Sequence, residues 1–150
     1  MHPLPVLSSL QVPQRGLEYP MTRLMALRVT AVLGFLAVAL GAFGAHGLKA
    51  MLAQNGTAAT WETAVLYHFI HVLVMLWLVN RPSFSTGAWL SFFLGILVFS
   101  GSLYTLAITN IKWLGAITPL GGVSFLVGWL WTAFKSDSAS THQSVHYPLS

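Results

Sequence analysis

The sequence predicts an all-α integral membrane protein, a bundle of four transmembrane helices with almost no soluble mass. Of its 150 residues, 55% are hydrophobic and only 7% are charged, whereas a soluble domain is about one-quarter charged. Four long stretches contain no charged residue: Val29–Leu48, Thr63–Asn80, Pro82–Ile111 and Trp113–Phe134. Crossing the hydrocarbon of a membrane takes roughly 20 helical residues. Each stretch therefore has room for one crossing.

The segments outside these stretches differ from them in composition. Residues 1–20 contain four prolines, no helical period and no basic segment of the kind that opens a secretory signal. We predict that residues 1–20 are a disordered extension, with Met21 as an alternative start of the chain. Residues 135–150 are polar and rich in serine, and we predict a disordered tail there. The membrane domain is thus expected at residues 21–134.

The first span is predicted at about residues 28–45, with small residues along one face. Ala31, Gly34, Ala37, Gly41 and Gly44 recur every three to four residues. Small residues let membrane helices approach closely, so this face is predicted to pack against another helix. Abundant small residues are also ordinary in membrane helices, and that alternative stays open. Further packing positions are predicted at Gly101, Pro119, Gly121 and Gly122.

The remaining spans are separated by clear helix-ending residues. Between spans one and two there is room for a short interfacial helix that ends at Asn55–Gly56. Span two is predicted at about 63–80, because Arg81 and Pro82 end a helix. Span three is predicted at about 87–108 and span four at about 113–134, with a very tight reversal between them.

The basic residues predict how the chain is inserted. An internal amino terminus places five of the seven Lys and Arg residues inside the cell: Arg15, Arg23, Arg28, Arg81 and Lys135. Lys49 and Lys112 then lie outside. Because Lys and Arg are enriched in cytoplasmic loops, we predict a multi-pass protein of the cell inner (plasma) membrane with both termini in the cytoplasm.

The same charges argue against a nucleic-acid partner. The formal net charge is +4, but the basic residues are scattered singly at the ends of spans and form no patch. The expected partner is the lipid bilayer, with a second membrane protein or a homo-oligomer as further candidates. The chain has no cysteine, which excludes thiolate metal sites and thiol catalysis.

Polar residues within the spans gather in one leaflet. Successive spans alternate in direction, so the end of span one, the start of two, the end of three and the start of four share one side of the membrane. The polar residues of these regions are predicted to form a cluster or ligand-binding site: His46, His68, His71, Ser100, Tyr104 and Thr118. The other half of the bundle is predicted to be apolar.

The two histidines of span two lie three residues apart, so both project from one helix face. Trp61, Ala64 and Met75 continue that face. The favoured interpretation is structural, with imidazoles bonded to Tyr and Ser on other helices. A metal or haem site and a pocket for a small molecule, lipid or quinone are the alternatives. The spans contain no carboxylate and no cysteine, a poor ligand set, so we expect no metal and no cofactor.

Catalysis and ion transport have little support in the sequence. Ser100 and Ser102 have neighbouring histidine candidates but no acid inside the spans to orient them. Glu62 is the acid nearest the membrane, and we expect it to pair with Lys49 or to accept hydrogen bonds from the ends of spans. Pumps usually carry acidic residues in mid-membrane. We therefore expect that the protein is not an enzyme.

Four sequence blocks also resemble a known family, the YgdD/YwdK-like small membrane proteins. The blocks are Gly41–Lys49, Trp61–His71, Phe99–Tyr104 and Ile117–Phe125, in this order along residues 21–134. The family is classed as a domain of unknown function. The resemblance implies a four-span bacterial inner-membrane protein with relatives in eukaryotes, and it implies no particular activity.

Two functional hypotheses follow from the sequence. The first is a non-enzymatic accessory or interaction subunit of a larger membrane assembly, docked through the small-residue face of span one. The second is a binder or transporter of a small molecule, lipid or quinone that uses the polar cluster of one leaflet.

Overall fold

The computed structural model describes residues 21–134. The predictions of a disordered extension at 1–20 and a disordered tail at 135–150 lie outside these residues. The described chain consists of helices and short connections: α1 (Met21–Ala45), α2 (Lys49–Asn55), α3 (Ala58–Asn80), α4 (Thr86–Thr109) and α5 (Thr118–Phe134). A 3₁₀ turn, Lys112–Ala116, leads directly into α5.

Four segments of the described chain are long and apolar enough to cross a membrane. They are α1, α3, α4 and the run Lys112–Phe134, with mean hydropathy between 1.5 and 2.1 over their most apolar windows. Large apolar side chains such as Phe35 and Leu126 are exposed on the outside of the bundle. Such surface suits lipid rather than water, because soluble proteins rarely expose wide apolar patches. The predicted four-helix membrane fold is confirmed.

The helices of the first two spans, α1 and α3, begin earlier than predicted. Helix α1 begins at Met21 rather than near residue 28, and α3 begins at Ala58 rather than near 63. The predicted limits followed the charged residues, but a helix can extend beyond the hydrocarbon. Arg23, in the first turn of α1, donates hydrogen bonds to the carbonyls of Val79 (2.6 Å) and Arg81 (3.0 Å). These bonds satisfy acceptors at the end of α3 that have no partner within the helix. Spans three and four match within one residue.

The helices form an antiparallel array with α3 and α4 in the centre. Helix α1 packs on α3, and α5 packs on α4. The main apolar core fills the half of the bundle that holds the start of α1 and the end of α3: Ala26, Leu33, Val72, Met75, Leu78, Val79, Ala88, Trp89, Phe92, Ile96 and Phe125. A smaller core at the other end contains Leu48, Leu52, Trp61 and Ala107.

Hydrogen bonds hold the turn between α2 and α3 against the end of α4. The Thr57 hydroxyl donates to the carbonyl of Ala107 at 2.8 Å, and the Asn55 amide donates to the carbonyls of Ala107 and Ile108 at 3.1 Å. Gly56 follows α2 with φ +65°, a conformation that favours glycine. Asn110 takes the same left-handed conformation after α4, with φ 58°. Both predicted reversals are confirmed.

Helix α4 changes its winding halfway along. Residues Ile96–Ser100 form a π-helical segment between two α-helical stretches, Thr86–Gly95 and Gly101–Thr109. The amide of Gly101 donates to the carbonyl of Ile96, five residues earlier. A π segment accommodates one more residue than the α-helix it interrupts, and such segments are frequent at functional sites. It lies just before the polar half of α4.

Candidate functional site

The buried face of α3 carries the two histidines of the predicted cluster. His68 and His71 expose only 3% and 4% of their surface. Trp61, Ala64 and Met75 are buried on the same face, as the sequence predicted. Each imidazole must therefore find its contacts among the neighbouring helices.

His68 faces α4, where it meets Tyr104. Its Nδ1 lies 3.3 Å from the Tyr104 hydroxyl, and the tautomer decides which atom donates. The Tyr104 ring packs against Trp61, with 4.7 Å between ring centroids. The Trp61 indole N–H donates in turn to the carbonyl of Leu40 on α1, at 3.1 Å. These three side chains connect α1, α3 and α4 at the polar end of the bundle.

His71 makes a different set of contacts from those that the structural interpretation predicted. Its Nδ1 donates to the carbonyl of Tyr67 at 2.7 Å, within α3 itself, because a carbonyl can only accept. The contact with another helix is ring stacking on Phe125 of α5, with 3.6 Å between centroids and 6° between planes. The expected hydrogen bond from His71 across helices is thus replaced by stacking. Nothing in the sequence distinguishes Phe125 from the other aromatic residues of α5 as the partner of His71.

Hydroxyl groups join α4 to α5 at the same level of the bundle. The hydroxyl oxygens of Ser102 and Thr118 are 2.8 Å apart and share a hydrogen bond, and both residues are buried. Ser100 is completely buried, and its hydroxyl has no hydrogen-bond partner within residues 21–134. A buried hydroxyl without a partner is costly, so Ser100 is a polar side chain that the surrounding packing does not satisfy.

His46 does not join the cluster. It follows the end of α1 and its side chain is exposed. The structure thus brings His68 to Tyr104 and Thr118 to Ser102, and it leaves His46 at the surface of the same end of the bundle. No group of three His, Asp or Glu residues is placed to hold a metal ion within the described chain. The absence of a cofactor remains a prediction.

The glycines predicted to mediate packing fall into three groups. At Gly44 and Gly121 an added Cβ would collide with the Trp61 indole and with the Phe99 backbone respectively. At Gly34 and Gly41 it would make ordinary contact, 3.4 Å from a valine methyl. In the third group an added Cβ would make almost no contact. At Gly101 it would have no atom within 4 Å, and at Gly122 it would have only a ring carbon of Phe99 at 3.9 Å.

Pro119 does not mediate packing between helices. It lies in the first turn of α5 and is exposed. A proline in the first turn costs little, because that backbone N–H would have no partner within the helix. Pro119 therefore helps α5 to begin at Thr118.

A groove opens between α1, α2 and α3, beside the polar cluster. Its volume is about 570 Å³, which lies within the roughly 300–1,000 Å³ typical of small-molecule sites. Small residues of the adjoining helices leave the space open: Gly41, Gly44, Ala45, Ala53 and Ala58. Trp61, Val65 and Phe69 of α3 supply apolar surface, and Leu52 of α2 adds to it. The small-residue face of span one thus lines a groove as well as packing on α3.

Two charged side chains also line this groove. Lys49 is the first residue of α2, and Glu62 lies near the start of α3. Both side chains are exposed, and neither forms a salt bridge within residues 21–134. The expected Lys49–Glu62 pair is therefore not formed, and the groove has one positive and one negative group available to a ligand.

Comparison with known proteins identifies the family. The family model described as "Protein of unknown function (DUF423)" matches residues 40–122. The chain belongs to this family. That segment contains the groove and the whole predicted polar cluster. No solved structure matches the fold.

Three curated relatives of the DUF423 protein are named as membrane proteins. YwdK of Bacillus subtilis is 47% identical over 107 residues, covering 67% of this chain and 85% of the relative. YgdD of Escherichia coli, named as an inner membrane protein, is 41% identical over 115 residues, covering 73% and 86%. A Haemophilus influenzae relative is 39% identical over 120 residues, covering 75% and 95%. Together with the four spans, these names establish a multi-pass membrane protein of a family without an assigned activity.

Proposed function

We propose that this protein binds a membrane amphiphile in the groove between α1, α2 and α3. The observation that carries the proposal is the groove itself, which combines about 570 Å³ of space, apolar walls and two charged side chains that form no salt bridge within residues 21–134. A long apolar molecule with a polar head matches that distribution. Ligand sites are typically concave and mostly apolar, with a few polar groups that fix the orientation of the ligand.

The groove also has a physical connection to the polar cluster. Trp61 lines the groove and packs against Tyr104, which contacts His68. A ligand that displaces the Trp61 indole therefore moves the partner of a buried histidine. This arrangement favours a binding protein in which a ligand in the groove shifts the side chains of the polar cluster. The buried cluster of the described residues contains no carboxylate to orient a nucleophile, which supports binding rather than catalysis.

The test is to fill the groove and measure lipid binding. Ala53 lines the groove and is exposed, so Ala53→Trp occupies the space without entering a buried core. Ala50→Trp is the matched control, because Ala50 is an exposed residue of the same helix that does not line the groove. Native mass spectrometry of the purified protein should show one saturable phospholipid, lost in Ala53→Trp and kept in Ala50→Trp. Equal binding by the two variants would refute the groove as the site.

An accessory role in a larger membrane assembly is a second proposal. The small-residue face of α1, which the sequence predicted as the docking surface, packs on α3 and lines the groove. Docking would therefore use the outer face of α1, which exposes large side chains, including 72% of Phe35 and 61% of Val38. A helix of a partner protein, or of a second copy, would fit such a face. Affinity isolation in mild detergent tests this: a stoichiometric partner that is lost on Phe35→Ala supports it, and an isolated monomer contradicts it.

We further propose that the protein lies in the cell inner (plasma) membrane with both termini in the cytoplasm. Of the basic residues at the helix ends, Arg23, Arg28 and Arg81 lie at one end of the bundle, against Lys49 and Lys112 at the other. The groove would then open in the outer leaflet. With no native cysteine, Gln54→Cys should react with an impermeant thiol reagent in intact cells, and Ser83→Cys should not. The opposite pattern would reverse the orientation.

A further inference from the structure

The two charges of the groove restrict what the polar head of a ligand can be. Lys49 and Glu62 line the same groove, are exposed and have no salt-bridge partner in the described chain. A ligand that carries only negative charge is attracted by Lys49 and repelled by Glu62. A neutral ligand leaves both charges unmatched. A zwitterionic head complements both.

We propose that the occupant of the groove is a zwitterionic phospholipid with a primary ammonium in its head group, of the phosphatidylethanolamine class. The Lys49 ammonium donates to the lipid phosphate, and the lipid ammonium donates to the Glu62 carboxylate. An acyl chain lies along Trp61, Val65 and Phe69. This inference rests on the proposed function and names its ligand.

The primary ammonium is chosen for its hydrogen bonds. It offers three N–H donors to a carboxylate, and hydrogen bonds between two charged groups are about twice as strong as neutral ones. A choline head carries the same charge but has no N–H to donate. A glycerol head has hydroxyl donors but no positive charge that could balance the negative charge of Glu62. Charge and donor chemistry together therefore select ethanolamine over both.

The groove lies at the end of the bundle opposite to both ends of the described chain, Met21 and Phe134. A second copy of the protein remains an outcome that the experiment separates from lipid.

The experiment measures head-group selectivity on the full-length protein. Purified protein in mild detergent is titrated with ethanolamine, choline or glycerol phospholipids of identical acyl chains, and bound lipid is counted by native mass spectrometry. We expect one ethanolamine lipid to bind about tenfold more tightly than either of the others, as one added charge-assisted hydrogen bond provides. Equal affinity for the three lipids would overturn the head-group inference while leaving the groove intact.

Charge-neutral variants assign the selectivity to residues. Glu62→Gln should lower the preference for the ethanolamine over the choline lipid, because the neutral amide oxygen still accepts a hydrogen bond but a weaker one. Lys49→Gln should weaken the binding of both lipids. Lys112→Gln is the matched control for Lys49→Gln, because it removes the same charge at the same end of the bundle outside the groove. An undiminished preference in Glu62→Gln contradicts the proposal. A lipid-free dimer abolished by Ala53→Trp would assign the groove to a second copy and overturn the proposed function as well.

Discussion

The pair Gly121 and Gly122 gives the sharpest test of how α5 packs on α4. We predict that Gly121→Ala destabilises the bundle by about 2 kcal/mol, whereas Gly122→Ala leaves its stability nearly unchanged. The two substitutions add the same methyl group at adjacent positions of one helix. They differ only in what that methyl meets, which is the Phe99 backbone for the first and a ring carbon 3.9 Å away for the second.

The magnitude follows from the space available at Gly121. An added Cβ would lie 2.7 Å from Cβ and 2.8 Å from Cα of Phe99, and closer still to its amide nitrogen. Ordinary contact begins at 3.4 Å, so α4 and α5 must separate by at least about 0.7 Å, since backbone cannot rotate away as a side chain does. A gap of that size loses roughly one-third of the dispersion energy between each pair of atoms that face each other across the α4–α5 interface. Single atom pairs contribute only about 0.1–0.2 kcal/mol, but the loss is summed over the α4–α5 interface and joins the backbone shift, which together typically cost about 1–3 kcal/mol in an overpacked core.

The assay is reversible unfolding in mixed micelles, with the fraction of sodium dodecyl sulfate increased and tertiary structure followed by the near-ultraviolet dichroism of tryptophan. Gly121→Ala should unfold at a clearly lower fraction of the denaturing detergent than the natural protein, and Gly122→Ala should not. If both variants unfold together, the close approach of α5 to Phe99 is not a feature of the folded protein.

Three further predictions concern the polar end of the bundle. Gly44→Ala should cost about 1–3 kcal/mol, because it displaces the Trp61 indole, while Gly41→Ala should be nearly neutral in the same unfolding assay. Tyr104→Phe should lower the free energy of unfolding by about 0.6 kcal/mol, the average for a membrane hydrogen bond, because it removes the contact with His68 and keeps the ring. A loss above about 2 kcal/mol would show that the Tyr104 hydroxyl belongs to a larger hydrogen-bond network. His71→Phe should retain the stacking on Phe125 and His71→Ala should lose it, so equal stability of the two variants would contradict a stacking role.

The fold was largely predictable because its determinants are local in the sequence. Uncharged runs define the four spans, and Gly56 and Asn110 define the reversals. The start of α1 differs from the prediction because Arg23 and Arg28 interrupt the apolar run without ending the helix. A charge at a membrane surface is compatible with helix, and Arg23 continues the helix while binding the end of α3.

The site was predictable in composition but not in contacts. Helical spacing correctly placed His68 and His71 on one buried face. It did not reveal that one imidazole contacts Tyr104 while the other stacks on Phe125, since this depends on the rotation of α4 and α5 about their axes. The groove escaped detection for the same reason, because it arises from the placement of α2 across α1 and α3.

The π segment of α4 sets the direction in which the polar half of this helix faces. Each side chain beyond the segment lies about 100° around the helix axis from where unbroken α winding of the same sequence would place it. In the observed winding Tyr104 points to α3 and Ser102 points to α5. Unbroken α winding would turn both side chains away from these partners without changing either residue. A chain that lacks one residue of the segment, for example the exposed Leu97, should need no π turn and should keep both side chains in register with His68 and Thr118.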